Sequence, residues 1–251
     1  MGIAVRIEPL GEGRNILVSD QHTFGTDAFL LADFAAPKKK DNVCELGTGC
    51  GIIPTLWLGK GEVRTVLGID ISEEACELAS QTARVNGDTL HFEVMCIDMR
   101  KISGVVDREH FDMVCCNPPY FDPRSGYISP DPERATARTE LECSISDVCA
   151  AAKYLLKYGG RLCLCHRPER TVDVFGAMRE NGIEPKRIRV VQNTPGGAPW
   201  LILTEGKRGG KPSLLWEKPF VMRDEKGNDS PMLDRLYEQY RTTRGSVKNE
   251  Q

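Results

Sequence analysis

The chain has 251 residues, with 33 Lys+Arg against 36 Asp+Glu, a net charge of −3, 40% hydrophobic residues and 7% aromatic. That length and apolar content exclude a disordered chain and provide a core that needs no disulfide staples. The slight acidity argues against a basic coat over the whole surface, while leaving room for a local basic patch.

Ten cysteines raise the question of a disulfide scaffold or a zinc site. Zinc ribbons and fingers need C-x-x-C pairs, and none occurs; most of the cysteines sit inside apolar runs. They read as reduced, small, buried hydrophobes, and no metal is expected. Residues 1–10 hold no long apolar run, and no window reaches the roughly 18 apolar residues of a spanning helix. A cytoplasmic protein with no membrane partner is expected, and a monomer is favoured.

In chain order, residues 42–47 (NVCELG) form an apolar run that ends in glycine, and 51–58 (GIIPTLWL) follow with helical spacing. Residues 65–71 (TVLGIDI) predict a second strand, and Ser72 caps a helix with Glu73 and Glu74 in its first turn. Strands are predicted at 90–97, before Asp98, and at 111–116, before Asn117-Pro118-Pro119-Tyr120. A helix at 144–158, a strand at 160–165 and a helix at 169–180 come next. Strands at 186–192 and 201–204 close the sheet as an antiparallel hairpin. The alternation predicts an α/β fold, a doubly wound, seven-stranded, mostly parallel, Rossmann-like sheet, with ligands beyond the carboxyl ends of its strands. One domain is expected over 1–251: a lead-in at 1–41, a core at 42–209, and a polar tail at 210–251 that folds over the surface or frays. Residues 121–140 form a long connection rich in Pro, Gly and Arg, of the kind that often serves as a lid or substrate loop.

Two constellations carry chemistry. Glu45-Leu46-Gly47-Thr48-Gly49-Cys50-Gly51 sits at a strand-to-helix turn, with Asp70 ending the next strand. Glycines let the backbone approach a ligand, and a strand-end acid can accept hydrogen bonds from both ribose hydroxyls. A dinucleotide site would have G-x-G-x-x-G, whereas the spacing here is G-x-G-x-G. That spacing, with the carboxylate of Glu45 nearby, suits a ligand with an amino-acid tail, S-adenosylmethionine, better than a pyrophosphate. A glycine turn without a ligand is the bland alternative. The second constellation is Asn117-Pro118-Pro119-Tyr120. Prolines lack an N–H and stiffen the chain, so the Asn117 side-chain oxygen and the Pro118 carbonyl make two acceptors for a planar –NH₂. Tyr120 can stack on a flat substrate. Asp98 reads either as a helix cap or as a ligand contact. His22, His91, His110 and His166 lack metal spacing and read as surface or core residues.

These residues resemble those of the class I S-adenosylmethionine-dependent methyltransferases that modify exocyclic or amide nitrogens. Phe24-Gly25-Thr26-Asp27-Ala28-Phe29-Leu30-Leu31, Ala137-Arg138-Thr139-Glu140 and residues 220–237 further resemble elements of the bacterial valine-tRNA adenine-N6-methyltransferase family. The resemblance implies cofactor contacts from Glu45, Gly47, Gly49 and Gly51. It implies ribose contacts from Asp70 with Ile71 beside it, an adenine contact from Asp98 with Met99 beside it, and a methionine end lined by Thr26 and Asp27. Asn117, Pro118 and Tyr120 would activate and hold the target amine, with Asn117 also at the cofactor. The implied partner is a tRNA. Arg124, Arg134 and Arg138 in the long connection, and Lys186, Arg187, Arg189, Lys207, Arg208 and Lys211, read either as phosphate contacts or as an ordinary solvated surface. Other readings are methyl transfer to ribosomal RNA or to a release-factor glutamine, and an inactive S-adenosylmethionine- or RNA-binding module. A helical substrate domain or a DNA target-recognition domain finds little room in this length.

Overall fold

A computed structural model describes residues 5–11, 13–118 and 143–245. A hairpin of β1 (Arg6–Pro9) and β2 (Asn15–Val18) precedes helix α1 (Thr26–Ala35). Next come β3 (Asn42–Leu46), α2 (Ile52–Gly59), β4 (Thr65–Asp70), α3 (Glu73–Val85), β5 (Phe92–Cys96) and β6 (Phe111–Cys116). Then follow α4 (Ile145–Leu155), β7 (Leu156–His166), α5 (Thr171–Glu180), β8 (Ile183–Gln192) and β9 (Pro199–Arg208). Two short strands, β10 (Leu215–Trp216) and β11 (Phe220–Val221), lead to α6 (Pro231–Gly245).

The main sheet runs β5-β4-β3-β6-β7-β9-β8, with β10 and β11 both paired to β8. Strands β3 to β7 run parallel to one another, and β9 is antiparallel to both β7 and β8. The doubly wound sheet and its closing hairpin are therefore as the alternation predicts, and the two short strands β10 and β11 extend the predicted seven strands to nine. Helices cover both faces, so each central strand must be apolar on both sides, which is why these strands read as continuous apolar runs. Val43, Met113, Cys115, Cys163 and Cys165 pack in one core with α1, α2, α3 and α6. Cys44, Leu46, Val114, Cys116, Leu162 and Leu164 pack in the other with α4 and α5. Cysteine serves here as a small apolar residue, and burial pushes the Cys115 and Cys116 thiols well above the ordinary range, which keeps them protonated and unreactive.

Local chemistry fixes the helix ends. The Ser72 side chain accepts from the Ala75 N–H, and Ser144 forms a reciprocal capping box with Asp147. Each such cap contributes about 1 kcal/mol. The helix predicted to reach residue 158 ends at Leu155, because Leu156 is extended (ψ 138°) and pairs with Phe111 in the sheet. Adjacent leucines made the helical face appear to continue, but Leu156 contributes its apolar side chain to a strand.

The lead-in and the tail are also structured. The edge of β2 is covered by α3: the Leu17 N–H donates to Thr82 Oγ1 at 3.1 Å, and Asn15 exchanges backbone bonds with the Asn86 amide at 2.9 and 2.7 Å. In the tail, Phe220, Leu233 and Leu236 are buried in the first core. The tail is therefore tied to the core through Phe220, Leu233 and Leu236. Among the described residues, no helix is long and apolar enough to cross a membrane.

Candidate active site

The parallel strands β3, β4, β5, β6 and β7 bring their carboxyl ends to one edge of the sheet. Leu46 pairs with Cys116, and Cys116 with Leu164. Gly47 and Asn117, the first residues past β3 and β6, and Cys165 of β7 therefore follow at one edge of the sheet, whose strands are spaced by roughly 5 Å. This register brings the two sequence constellations together.

Gly47, Gly49 and Gly51 have φ of 72°, 54° and 82°, a left-handed region that costs other L-residues about 1–2 kcal/mol. Their reasons for being glycine differ. A Cβ on Gly47 or Gly49 would meet nothing within 4 Å, so these positions keep the backbone open to a ligand. A Cβ on Gly51 would lie 2.9 Å from Phe92 Cε1 and 3.3 Å from Ala79 Cβ, so Gly51 serves the packing of the turn against α3 and β5.

Glu45 is buried under this turn and accepts the Thr48 hydroxyl. Burial pushes its carboxyl well above the usual range, the Thr48 hydrogen bond opposes that rise, and the Asp70 charge adds to it. Asp70 accepts the Gly49 N–H on Oδ2 at 2.9 Å and the Ser72 N–H on Oδ1 at 3.0 Å. Its carboxylate is thus oriented by backbone donors and locks the glycine turn to the end of β4. Ile71 beside it is an exposed apolar side chain.

Asp98 caps the short 3₁₀ turn Met99–Lys101 and is gripped by Arg100, with Nη2 to Oδ2 at 2.7 Å and Nε to Oδ1 at 2.9 Å. The Arg100 hydrogen bonds hold its carboxyl below the usual carboxylate range against the opposing effect of burial. The capping reading of Asp98 is thus present in the geometry, and Arg100 is a partner that the sequence reading did not name. Met99 packs against the second core.

On the acceptor side, the Asn117 Nδ2 donates to Asp27 Oδ2 at 3.0 Å, and the Cys165 thiol donates to Asn117 Oδ1 at 3.0 Å. Thr26 and Asp27 open α1, whose first turn faces the end of β6. The Tyr237 hydroxyl, from α6, lies 2.9 Å from Thr26 Oγ1, and its ring meets Phe29 edge-on at 5.1 Å. Pro118 follows Asn117 and is half-buried. His166 ends β7; its Nδ1 accepts the Arg167 N–H at 2.8 Å, and burial lowers its pKa, so a neutral imidazole stands at this edge. Pro119, Tyr120 and the connection carrying Arg124, Arg134, Arg138 and Ala137-Arg138-Thr139-Glu140 lie outside the described residues. Cys165 and Tyr237 were missed as site neighbours because their partners are distant in sequence.

Most of the basic residues of the last strands are engaged within the chain. Arg187 donates to the Phe34 carbonyl at 2.7 Å, pairs with Glu205 at 2.9 Å and Glu217 at 3.0 Å, and stacks 4.1 Å from the Phe34 ring centroid. Arg189 pairs with Glu217 at 2.5 Å and Asp33 at 3.6 Å. Arg208 pairs with Glu109 at 2.8 Å and donates to the Leu156 carbonyl. The Lys186 ammonium donates to the Lys211 carbonyl at 2.9 Å. These four cations are engaged by carbonyls or carboxylates of the chain itself, whereas Lys207 and Lys211 are exposed.

The residues present fit S-adenosylmethionine: open glycine backbone at 47 and 49, a strand-end carboxylate at 70 with an apolar neighbour, and a buried acid at 45. A family model described as the methyltransferase small domain matches residues 15–178, and the chain belongs to that family. Its cofactor is S-adenosylmethionine, and its class of activity is methyl transfer. Among known proteins it is 26% identical over 229 residues to the tRNA1(Val) (adenine(37)-N6)-methyltransferase of Porphyromonas gingivalis, covering 87% of this chain and 88% of that one. It is 27% identical over 183 residues to the protein of that name from Parabacteroides distasonis, covering 72% and 75%. Among solved structures it is similar to a predicted O-methyltransferase from Agrobacterium tumefaciens, with a TM-score of 0.68 and 21% identity over 85% of this chain and 96% of that one. At that identity the likeness bears on the fold alone.

Proposed function

We propose that this methyltransferase acts on N6 of an adenine in the anticodon loop of a tRNA. The observation that carries the reading is the position of Asn117 and Pro118 at the carboxyl end of β6, one strand from the open glycine turn after β3. The names of the relatives support the acceptor class.

The bound cofactor supplies an electrophilic methyl group on a sulfonium. Gly47 and Gly49 would seat it along their backbone, and Asp70 would accept its ribose hydroxyls. Asp98, shared with Arg100, would face its adenine, and Glu45, buried beneath the turn, would hold Thr48 and the turn in place. The work of the chain is to position the acceptor. Asn117 Oδ1 and the Pro118 carbonyl accept the two N–H protons of an exocyclic amine. That draws the nitrogen away from planarity and makes its lone pair available for in-line attack. Tyr120, three residues after Asn117, would stack on the flipped base. No strong general base is required, because the amine becomes acidic only once methylated and can release its proton to water.

Incubation with labelled S-adenosylmethionine and, separately, unmodified tRNA, ribosomal RNA and release factor tests the reading. Label is expected in tRNA. Label confined to ribosomal RNA or to the release factor would assign the acceptor otherwise, and cofactor binding without any transfer would indicate a binding module.

A further inference from the structure

The resemblance places Asp27 at the methionine end of the cofactor. The geometry points to a different role, and we propose that Asp27 is a positioning residue that fixes which way the Asn117 amide faces. This inference rests on Asn117 being the acceptor of the target amine protons.

A primary amide has two nearly isosteric ends, one a donor and one an acceptor, and only the acceptor end can engage an –NH₂ group. An asparagine at the rim of a cleft can rotate by half a turn about its terminal bond at little cost, and that would present two N–H donors to an amine that needs acceptors. Asp27 removes the choice. An ionised carboxylate only accepts, so the Asn117 end that meets it at 3.0 Å must be Nδ2, and the flipped amide would set oxygen against oxygen. The Cys165 thiol, 3.0 Å from Oδ1, donates on the other side and favours the same orientation. Hydrogen bonds at Nδ2 also polarise the amide and make Oδ1 a better acceptor.

The position of Asp27 is itself constrained. It lies in the first turn of α1, where a carboxylate is favoured by the helix dipole. Its Oδ1 folds over Gly25, where an added Cβ would approach to 2.6 Å. Neighbouring Thr26 is tied to Tyr237 of α6. The orienting acid therefore sits on a helix end held from two sides.

The test is a swap of the pair, read as single-turnover methyl transfer to the RNA at saturating cofactor. Calorimetric titration of S-adenosylhomocysteine reports folding and cofactor affinity for each variant. Asn117→Asp alone sets two carboxylates against each other, and transfer should fall by about 10-fold or more. Adding Asp27→Asn restores a donor–acceptor pair with the roles exchanged, and transfer should recover by about 10-fold relative to Asn117→Asp. Asp27→Asn alone should lower transfer, with affinity for the product cofactor within about twofold of the parent. The inference is overturned if Asp27→Asn lowers transfer equally in both backgrounds, or if it weakens cofactor affinity while leaving saturated transfer unchanged. The underlying reading fails separately, if Asn117→Ala transfers methyl groups as fast as the parent.

Discussion

The two ends of helix α1, about 15 Å apart, do opposite work. At its amino end Thr26 and Asp27 meet Tyr237 and Asn117 at the edge of the sheet that holds the candidate site. At its carboxyl end the carbonyls of Phe34 and Ala35 accept from Arg187 and Arg161, and both arginines pair with Glu205. Guanidinium groups there complete the hydrogen bonding of a helix terminus and favour its dipole. One helix thus uses an acid for orientation and bases for stability. The lesson is that the sign of a charge in a sequence does not reveal which partner it serves.

The largest effect should come at the amino end. Asn117→Ala is expected to lower the rate of transfer by about 10²–10³-fold, while the affinity for S-adenosylhomocysteine, measured by calorimetry, stays near that of the parent. A comparable loss of affinity would place Asn117 among the cofactor contacts instead. At the carboxyl end the outcome should be reversed. Arg187→Ala leaves Glu205, Glu217 and a helix carbonyl short of a partner, and should cost about 2 kcal/mol of stability. For a chain of this size that lowers Tm by roughly 4–8 °C, with transfer at 25 °C little changed. If Arg187→Ala instead weakened RNA binding at unchanged Tm, the comparison between the ends would break.

Glu45 touches neither end and calibrates the comparison by pH. Its folded-state pKa is raised by burial, so the native protein holds that proton more tightly than the unfolded chain. The resulting stability is fully present below the unfolded glutamate value of about 4.3 and is lost as pH rises through the folded value. Glu45→Gln keeps an acceptor for Thr48 without the ionisation. Denaturant unfolding across that range should show a flatter pH dependence than the parent; an unchanged profile would mean the carboxyl ionises without cost. The smallest effect is expected for Tyr237→Phe, which removes the bond to Thr26 and keeps the ring against Phe29. It should cost about 1 kcal/mol, seen as a small decrease in Tm.

The candidate cofactor half of the site was easy to assemble from the sequence because its parts are local. Residues 45 to 51 are contiguous, Asp70 follows the next apolar run, and parallel register sets them together. The candidate acceptor half could be named at Asn117 and Pro118, but not what holds them. The Asp27–Asn117 bond joins α1 to β6, and Tyr237 reaches Thr26 from the far end of the chain. No periodicity encodes such pairings. The internal pairing of Arg187 and Arg189 was not legible, because Glu205 and Glu217, which neutralise them, come from another strand and a loop. The tail looked polar enough to fray, although Leu233, Leu236 and Tyr237 already carried the three- and four-residue spacing of a docked helix.

The most direct test of the account is the chemical position of the new methyl group. Unmodified tRNA treated with the protein and S-adenosylmethionine, digested to nucleosides and analysed by mass spectrometry, is predicted to contain N6-methyladenosine. A methyl group on a ribose, on a ring nitrogen or on a different base would contradict the assignment of Asn117 and Pro118 as acceptors for an exocyclic amine.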